Sequence, residues 1–211
     1  MGTCYIFGAG ERYGTPNTIT ASDLVIAADG GYDYAQSVGI TPDLTIGDFD
    51  SASVRPDGQN VITLPREKDD TDMRAAIQEG WARGFRKFHI YGGTGGRLDH
   101  TLANIQCIAE LAQRGGRGWL YDDHCAITAI SSGSAHFPAE AEGTISVLAH
   151  DSIAEGVDEL GLAYSLTGAT LNNHFPVGVS NRFTGIPSHI SVRQGTLIII
   201  HPKSVREEES T

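Results

Sequence analysis

The run FHIYGGTGGRLDHTLANIQCIAELAQRGGRGWLY, residues 88–121, decides the fold class. Phe88 to Tyr91 is a short β-prone segment, and Gly92 to Gly96 turn the chain. From about Asp99 to Gln113 apolar residues then recur at helical spacing, with Leu102, Ile105, Ile108, Ala109 and Ala112 on the expected buried face. Gly115 and Gly116 end that helix, and Trp119 to Tyr121 reads as another strand. A strand, a helix and a second strand in succession are the parts of a parallel sheet with helical crossovers.

The same alternation runs upstream. Cys4 to Phe7, Leu24 to Ala28, Leu44 to Ile46 and Val61 to Leu64 are short apolar runs. Tyr32 to Val38 is a helix closed by Gly39, with Pro42 barring continuation. A further helix starts near Thr71, carries Met73, Ala76, Ile77 and Trp81 as its apolar stripe, and stops at Gly84. The expectation is an α/β N-terminal domain over residues 1–128, built on a mostly parallel sheet with helices on both faces. After Cys125 the pattern changes. Ala126 to Ile130, Thr144 to Leu148, Leu162 to Leu166, Ala169 to Leu171, His189 to Val192 and Thr196 to Ile200 are strand-like, separated by turn residues without a long helix. Residues 129–211 are therefore expected to form an all-β sandwich or barrel-like C-terminal domain.

Ligands of open parallel sheets sit at the carboxyl ends of the strands, and those ends share one grammar here. Leu24 to Ala28 ends in Asp29-Gly30-Gly31, and the segment TIGDFDS (45–51) ends a strand in Asp48 and Asp50. The third strand end is Gly92 to Gly96 followed by Arg97, and Asp69-Asp70-Thr71-Asp72 precedes a helix. Asp29, Asp48, Asp50, Asp72 and Asp99 can converge on one edge. A carboxylate pair such as Asp48 and Asp50 suits Mg²⁺, which takes hard oxygen ligands. Glycine-rich turns leave backbone N–H groups for phosphate oxygens, and Arg97 adds a fixed fork-shaped cation. Plainer readings exist for each piece. Thr71 or Asp70 is a helix cap, Gly92 to Gly96 is a tight turn, and Asp99 and His100 suit a helix N-terminus. Ser180 and Asn181 read as a turn. Neither the P-loop nor the dinucleotide glycine spacing is met, and the eight histidines show no zinc spacing.

Composition narrows the classes. A net charge of −11, with 26 acidic against 15 basic residues, argues against a general nucleic-acid binder. No apolar run reaches the roughly 20 residues of a membrane span, and the N-terminus does not read as a secretory signal. Three cysteines without C-x-x-C spacing fit a reduced, cytoplasmic protein.

Five strings then carry a resemblance: ADGGYDYA (28–35), PDLTIGDFDS (42–51), REKDDTDM (66–73), YGGTGGRLDHTLANI (91–105) and SNRFTG (180–185). In that order they resemble the thiamine pyrophosphokinase family across roughly the whole chain. The resemblance implies a homodimer with its active site between subunits. It also implies transfer of a pyrophosphoryl group from Mg-ATP to the hydroxyl of thiamine, giving thiamine diphosphate and AMP. Asp48, Asp50, Asp72, Asp99 and Arg97 would then be catalytic, with Asp48, Asp50 and Asp72 toward Mg²⁺. Asp29, Gly30, Gly31, Lys68, Thr71, Gly93, Thr94, Gly95, Gly96 and His100 would line the nucleotide pocket, and Ser180 and Asn181 would meet thiamine. The proton acceptor would be Asp72 or Asp99. Arg74 and Arg182 stand where the family often has acidic residues. Two other readings compete: a Mg-dependent phosphohydrolase of the strand-D-x-D type, and a non-catalytic thiamine or nucleotide sensor. Against the first, Ala52 stands where those motifs usually have Thr or Val.

Overall fold

The computed structural model describes residues 2–47, 60–64 and 70–208. The chain divides into two compact units, Met1–Cys107 with Gly118–Asp123, and Ile108–Arg117 with His124–Thr211.

In the first unit the strands are β1 (Cys4–Phe7), β2 (Leu24–Ala28), β3 (Leu44–Gly47), β4 (Val61–Thr63), β5 (Lys87–Tyr91) and β6 (Arg117–Tyr121). The helices are α1 (Gly31–Ser37), α2 (Asp72–Ala82) and α3 (Leu98–Gln113), whose last turns belong to the second unit. Strand order is β6-β5-β1-β2-β3-β4, and the pairs β5/β1, β1/β2, β2/β3 and β3/β4 are parallel. The chain steps outward from β1 to β4 and then returns to place β5 on the other side of β1. That reversal puts the switch in strand order at the carboxyl ends of β1 and β5, the place where such sheets bind ligands.

Helix α2 begins as expected for a Thr cap: the Thr71 Oγ1 accepts from the Arg74 N–H at 3.1 Å. Its buried stripe is Met73, Ala76, Ile77 and Gly80, with Trp81 only half-buried. The expected Trp81 is displaced because α2 lies so close to the sheet that a Cβ on Gly80 would stand 2.8 Å from both Cys4 Sγ and the Phe88 ring. Trp81 instead stacks under the Arg86 guanidinium, 3.8 Å from its centroid. The face of α3 is likewise rotated from expectation. Leu102 is exposed, while Asn104, Cys107, Ile108, Ala109, Leu111 and Ala112 are buried.

The second unit holds β7 (Cys125–Ser131), β8 (Ser134–Phe137), β9 (Thr144–Ala149), β10 (Ala154–Leu160), β11 (Leu166–Leu171), β12 (Asn181–Arg182), β13 (Ser188–Gln194) and β14 (Thr196–Pro202). They form two antiparallel groups, β12-β9-β14-β7 and β11-β10-β13-β8. Both contribute to one core, including Ile130, Phe137, Val147, Val157, Ile190 and Ile199. Leu162 to Leu166, expected as a strand, is mostly the connection between β10 and β11. The true strand, AEGVDEL, escapes an alternation test because its register shifts around Gly156 and because Glu159 points inward. No helix among the described residues is long and apolar enough to cross a membrane.

Candidate active site

The carboxyl edge of the parallel sheet is assembled by backbone contacts that only small residues permit. Gly8 N donates to Tyr91 O at 2.7 Å, Gly10 N to Gly92 O at 2.7 Å, and Glu11 N to Thr94 O at 2.9 Å. These three bonds zip the loop after β1 to the loop after β5. On the other side of β1, Asp29 N donates to Ile46 O at 2.8 Å, and Leu64 N to Gly47 O at 3.0 Å. The ends of β2, β3 and β4 are thereby tied side by side. Helix α1 starts hard against β1, since a Cβ on Gly31 would fall 1.8 Å from Phe7 O. Met73, in the first turn of α2, is within reach of Gly8, where a Cβ would lie 2.7 Å from its Cε.

The structure thus gathers Asp29, Gly30 and Gly31, the first turn of α2 with Thr71 and Asp72, and Gly93 to Gly96 along one edge. Gly47, whose next residue is Asp48, sits against Asp29, where a Cβ would be 3.0 Å from its Cα. Asp48, Asp50 and Lys68 lie outside the described residues. Asp29 adopts a left-handed backbone, φ 49°, which a non-glycine residue holds only when the surroundings impose it.

The glycine turn is anchored at its start and open at its end. Asn104 Nδ2 donates to Gly93 O at 2.7 Å, and the buried Thr94 Oγ1 donates to Tyr121 O at 3.2 Å and to Asp122 Oδ1 at 3.3 Å. Gly95 and Gly96 carry φ of 78° and 62°. Arg97, Asp99 and His100 follow, all exposed. Arg97 is paired with Asp99, Nη2 to Oδ2 at 2.6 Å and Nε to Oδ1 at 3.2 Å, a two-point contact between two expected site residues. The guanidinium holds the Asp99 carboxyl below its ordinary range.

Several residues of this edge were not singled out in the sequence. Glu11 packs against Gly95, where a Cβ would be 2.3 Å from its Cγ, and Asp122 receives Thr94. Burial, followed by the negative fields of Asp122, Glu11 and Asp123, pushes the Tyr13 hydroxyl up. Asp122 was findable, because β6 is followed by Asp122-Asp123, the same strand-then-Asp grammar as the other corners. Asn104 had no signal beyond its place on a helix face.

Among the described residues no three His, Cys, Asp or Glu side chains cluster to hold a metal ion. The donors gathered at this edge are carboxylates without a thiol, a chemistry that fits Mg²⁺ rather than zinc or copper.

In the second unit Ser180 is exposed and left-handed, φ 64°, while Asn181 is buried and opens β12. Asn181 spends its whole amide inside the fold. Its Nδ2 donates to Glu159 Oε2 at 2.9 Å and to Tyr164 O at 2.7 Å, and its Oδ1 accepts from Tyr164 N and Arg182 N, both at 2.9 Å. Of the expected turn residues only Ser180 lies in the turn, and Asn181 belongs to the two-residue strand directly after it.

Residues 15–119 match the family model described as thiamin pyrophosphokinase, catalytic domain. The thiamine pyrophosphokinase of Bacillus subtilis (strain 168) is 26% identical over 212 residues, covering 95% of this chain and 98% of that protein. Thiamin pyrophosphokinase 1 of Caenorhabditis elegans is 24% identical over 159 residues, 68% of this chain and 63% of that protein. A crystal structure of the Bacillus subtilis thiamine pyrophosphokinase shares the fold, with a TM-score of 0.83 at 24% identity over 95% of this chain and 98% of that one. The matched segment contains Asp29 to Gly31, Thr71 and Asp72, and Gly93 to Asp99 of the sheet edge, and the chain belongs to the thiamin pyrophosphokinase family.

Proposed function

We propose that this protein transfers the terminal pyrophosphoryl group of Mg-ATP to the hydroxyl of thiamine, giving thiamine diphosphate and AMP. The observation that carries the reading is the coincidence of the matched catalytic segment with the strand-order reversal and its Asp and Gly corners. In this reading Asp29 to Gly31, Lys68, Thr71, Gly93 to Gly96 and His100 bind ATP, with residues up to about 128 forming the nucleotide domain. Asp48, Asp50 and Asp72 hold the magnesium ion, which when bound neutralises charge on the transferring oxygens. Residues 129–211 supply the acceptor side, with Ser180 toward thiamine across a homodimer interface in the cytoplasm. Asn181, its amide already spent inside the fold, holds the turn behind it rather than meeting thiamine itself.

In the chemical step a new bond forms between the thiamine oxygen and the β-phosphorus. The bond from that phosphorus to the oxygen bridging it to the α-phosphorus breaks, and the bridging oxygen leaves on AMP. Such transfers are accelerated by positioning and by charge stabilisation on the moving oxygens. Arg97 serves the second need by turning from Asp99 to phosphate. That exchange would also release the Asp99 carboxylate, which with Asp72 is a candidate to take the hydroxyl proton. The pair is exposed on both partners, so little opposes the exchange.

The test is incubation with ATP, Mg²⁺ and thiamine followed by mass spectrometry. Thiamine diphosphate and AMP in equal amounts support the reading. Thiamine monophosphate with ADP, or phosphate release indifferent to thiamine, overturns it, the latter in favour of a hydrolase. Tight binding of both ligands without AMP would indicate a sensor.

A further inference from the structure

We infer that Glu159 is a positioning residue for the acceptor substrate, acting through Asn181 on the backbone that presents Ser180. The inference rests on the reading above, in which Ser180 meets thiamine.

Glu159 is 1% exposed and sits on β10 two residues beyond the core residue Val157. A carboxyl group in such a place is expensive, and an aliphatic side chain would fill the slot at lower cost. Its bonding does not repay the burial. Oε2 accepts from Asn181 Nδ2, whereas Oε1 has no hydrogen-bond partner among the described residues. Burial accordingly pushes the acid up, opposed by the Asn181 donor. Core packing therefore does not explain a glutamate here, and its one hydrogen bond among the described residues shows where its action goes.

That contact ends on a side chain that staples the turn. Asn181 fixes Tyr164 and Arg182 through its remaining bonds. The turn is pinned on its other side by Val147 N donating to Gly178 O at 2.8 Å and by Ser180 N donating to Ser146 Oγ at 3.1 Å. Glu159 lies beneath it, with Oε1 3.5 Å from the Cβ position of Gly178. Ser180 is the strained member, an exposed non-glycine residue at φ 64°. Left-handed serine is unfavourable by about 1–2 kcal/mol and persists because its neighbours over-determine it. Removing the Glu159 acceptor leaves a buried N–H of Asn181 unmet and loosens one side of that frame.

The experiment is steady-state kinetics on Glu159→Leu, Glu159→Gln, Ser180→Ala and the Glu159→Leu/Ser180→Ala double variant, with melting temperatures recorded alongside. Glu159→Leu is expected to raise the KM for thiamine about tenfold and to leave the KM for ATP within about twofold. Glu159→Gln keeps an acceptor for Asn181 and is expected to bring the thiamine KM back to within about threefold of wild type. The double variant is expected to be no worse than the worse single variant, since both act on one contact. An unmoved thiamine KM in Glu159→Leu, a parallel rise in the ATP KM, or full additivity with Ser180→Ala overturns the inference. Should Glu159→Leu not fold, Asn181→Ala removes the same link from its other end and is held to the same outcomes. Wild-type protein that makes no thiamine diphosphate overturns the functional reading and the inference together, whereas wild-type turnover with an indifferent Glu159→Leu overturns the inference alone.

Discussion

Lowering the pH toward 4 will destabilise the C-terminal unit through His201, and the size of the loss follows from how that ring is buried. His201 is 2% exposed, lies edge-on to Phe137 with centroids 5.2 Å apart, and bonds Pro202 O through Nδ1 at 3.0 Å. The carbonyl can only accept, so Nδ1 carries the proton and Nε2 is the bare nitrogen. Nε2 has no hydrogen-bond partner among the described residues, so protonating it would bury a charged N–H without an acceptor. Burial, opposed by the Pro202 carbonyl and reinforced by Arg117, therefore lowers the pKa from 6.5 to about 4. The unfolded chain takes up this proton below 6.5 while the native protein refuses it until about 4. The stabilisation is thus whole above 6.5 and is lost as pH falls through that window. Each pH unit is worth about 1.4 kcal/mol, which makes the loss about 3 kcal/mol, or about 6–12 °C in Tm for a chain of this size. Glu159 works in the opposite sense, because a raised acid stabilises below its unfolded value and ceases to as pH rises through its folded one. The informative quantity is therefore wild type compared with His201→Phe, which keeps an aromatic ring against Phe137 but cannot titrate. Thermal melts from about pH 7 down to 4 should show a steeper decline in wild type by the stated amount. Parallel declines in the two proteins would refute the assignment of a buried neutral imidazole.

Three further outcomes are expected. Gly31→Ala would drive a Cβ to within 1.8 Å of Phe7 O and lift α1 from the sheet, so urea unfolding should show a loss of about 3 kcal/mol; unchanged stability would mean α1 seats otherwise. Arg97→Ala should lower kcat about a hundredfold for thiamine diphosphate formation without altering Tm, since the side chain is 70% exposed, and a change below about threefold removes it from the chemistry. Asp48→Asn or Asp50→Asn should abolish turnover, by about a thousandfold or more, while the circular dichroism spectrum stays native; wild-type rates in either variant would defeat the metal assignment.

Most of the first unit was legible because its elements are short and sharply punctuated. Leu24 to Ala28 is a continuous apolar run of the kind that both faces of a parallel sheet demand, and it is a strand with those bounds. Thr71 was readable as a cap because the hydroxyl that takes the Arg74 N–H is a local matter. The failures came where one helix face must choose among near-equal positions. Gly80 displaced Trp81, and Asn104 displaced Leu102, because the deciding quantity was the distance between helix and sheet, which no periodicity contains. In the second unit the missed strand β10 holds Glu159, whose inward turn violates the alternation used to find strands.

The candidate site divides in the same way. Asp29, Gly31, Thr71 and Gly93 were legible because corners between a strand and a helix have few residues able to make them, and the return of the chain to put β5 beside β1 makes those corners meet. What could not be read was which charges are already spoken for. Arg97 and Asp99 both suit a phosphate-transfer site by type, yet they face each other at 2.6 Å. Asn181 suits a ligand contact by type, yet its four hydrogen-bonding positions are all satisfied by Glu159, Tyr164 and Arg182. Residue type announces a capacity, and only the neighbours decide whether it is spent. By that measure Ser180, exposed at the end of its turn, is the residue the proposed reading leaves for a substrate, while Asn181 beside it is committed to the fold.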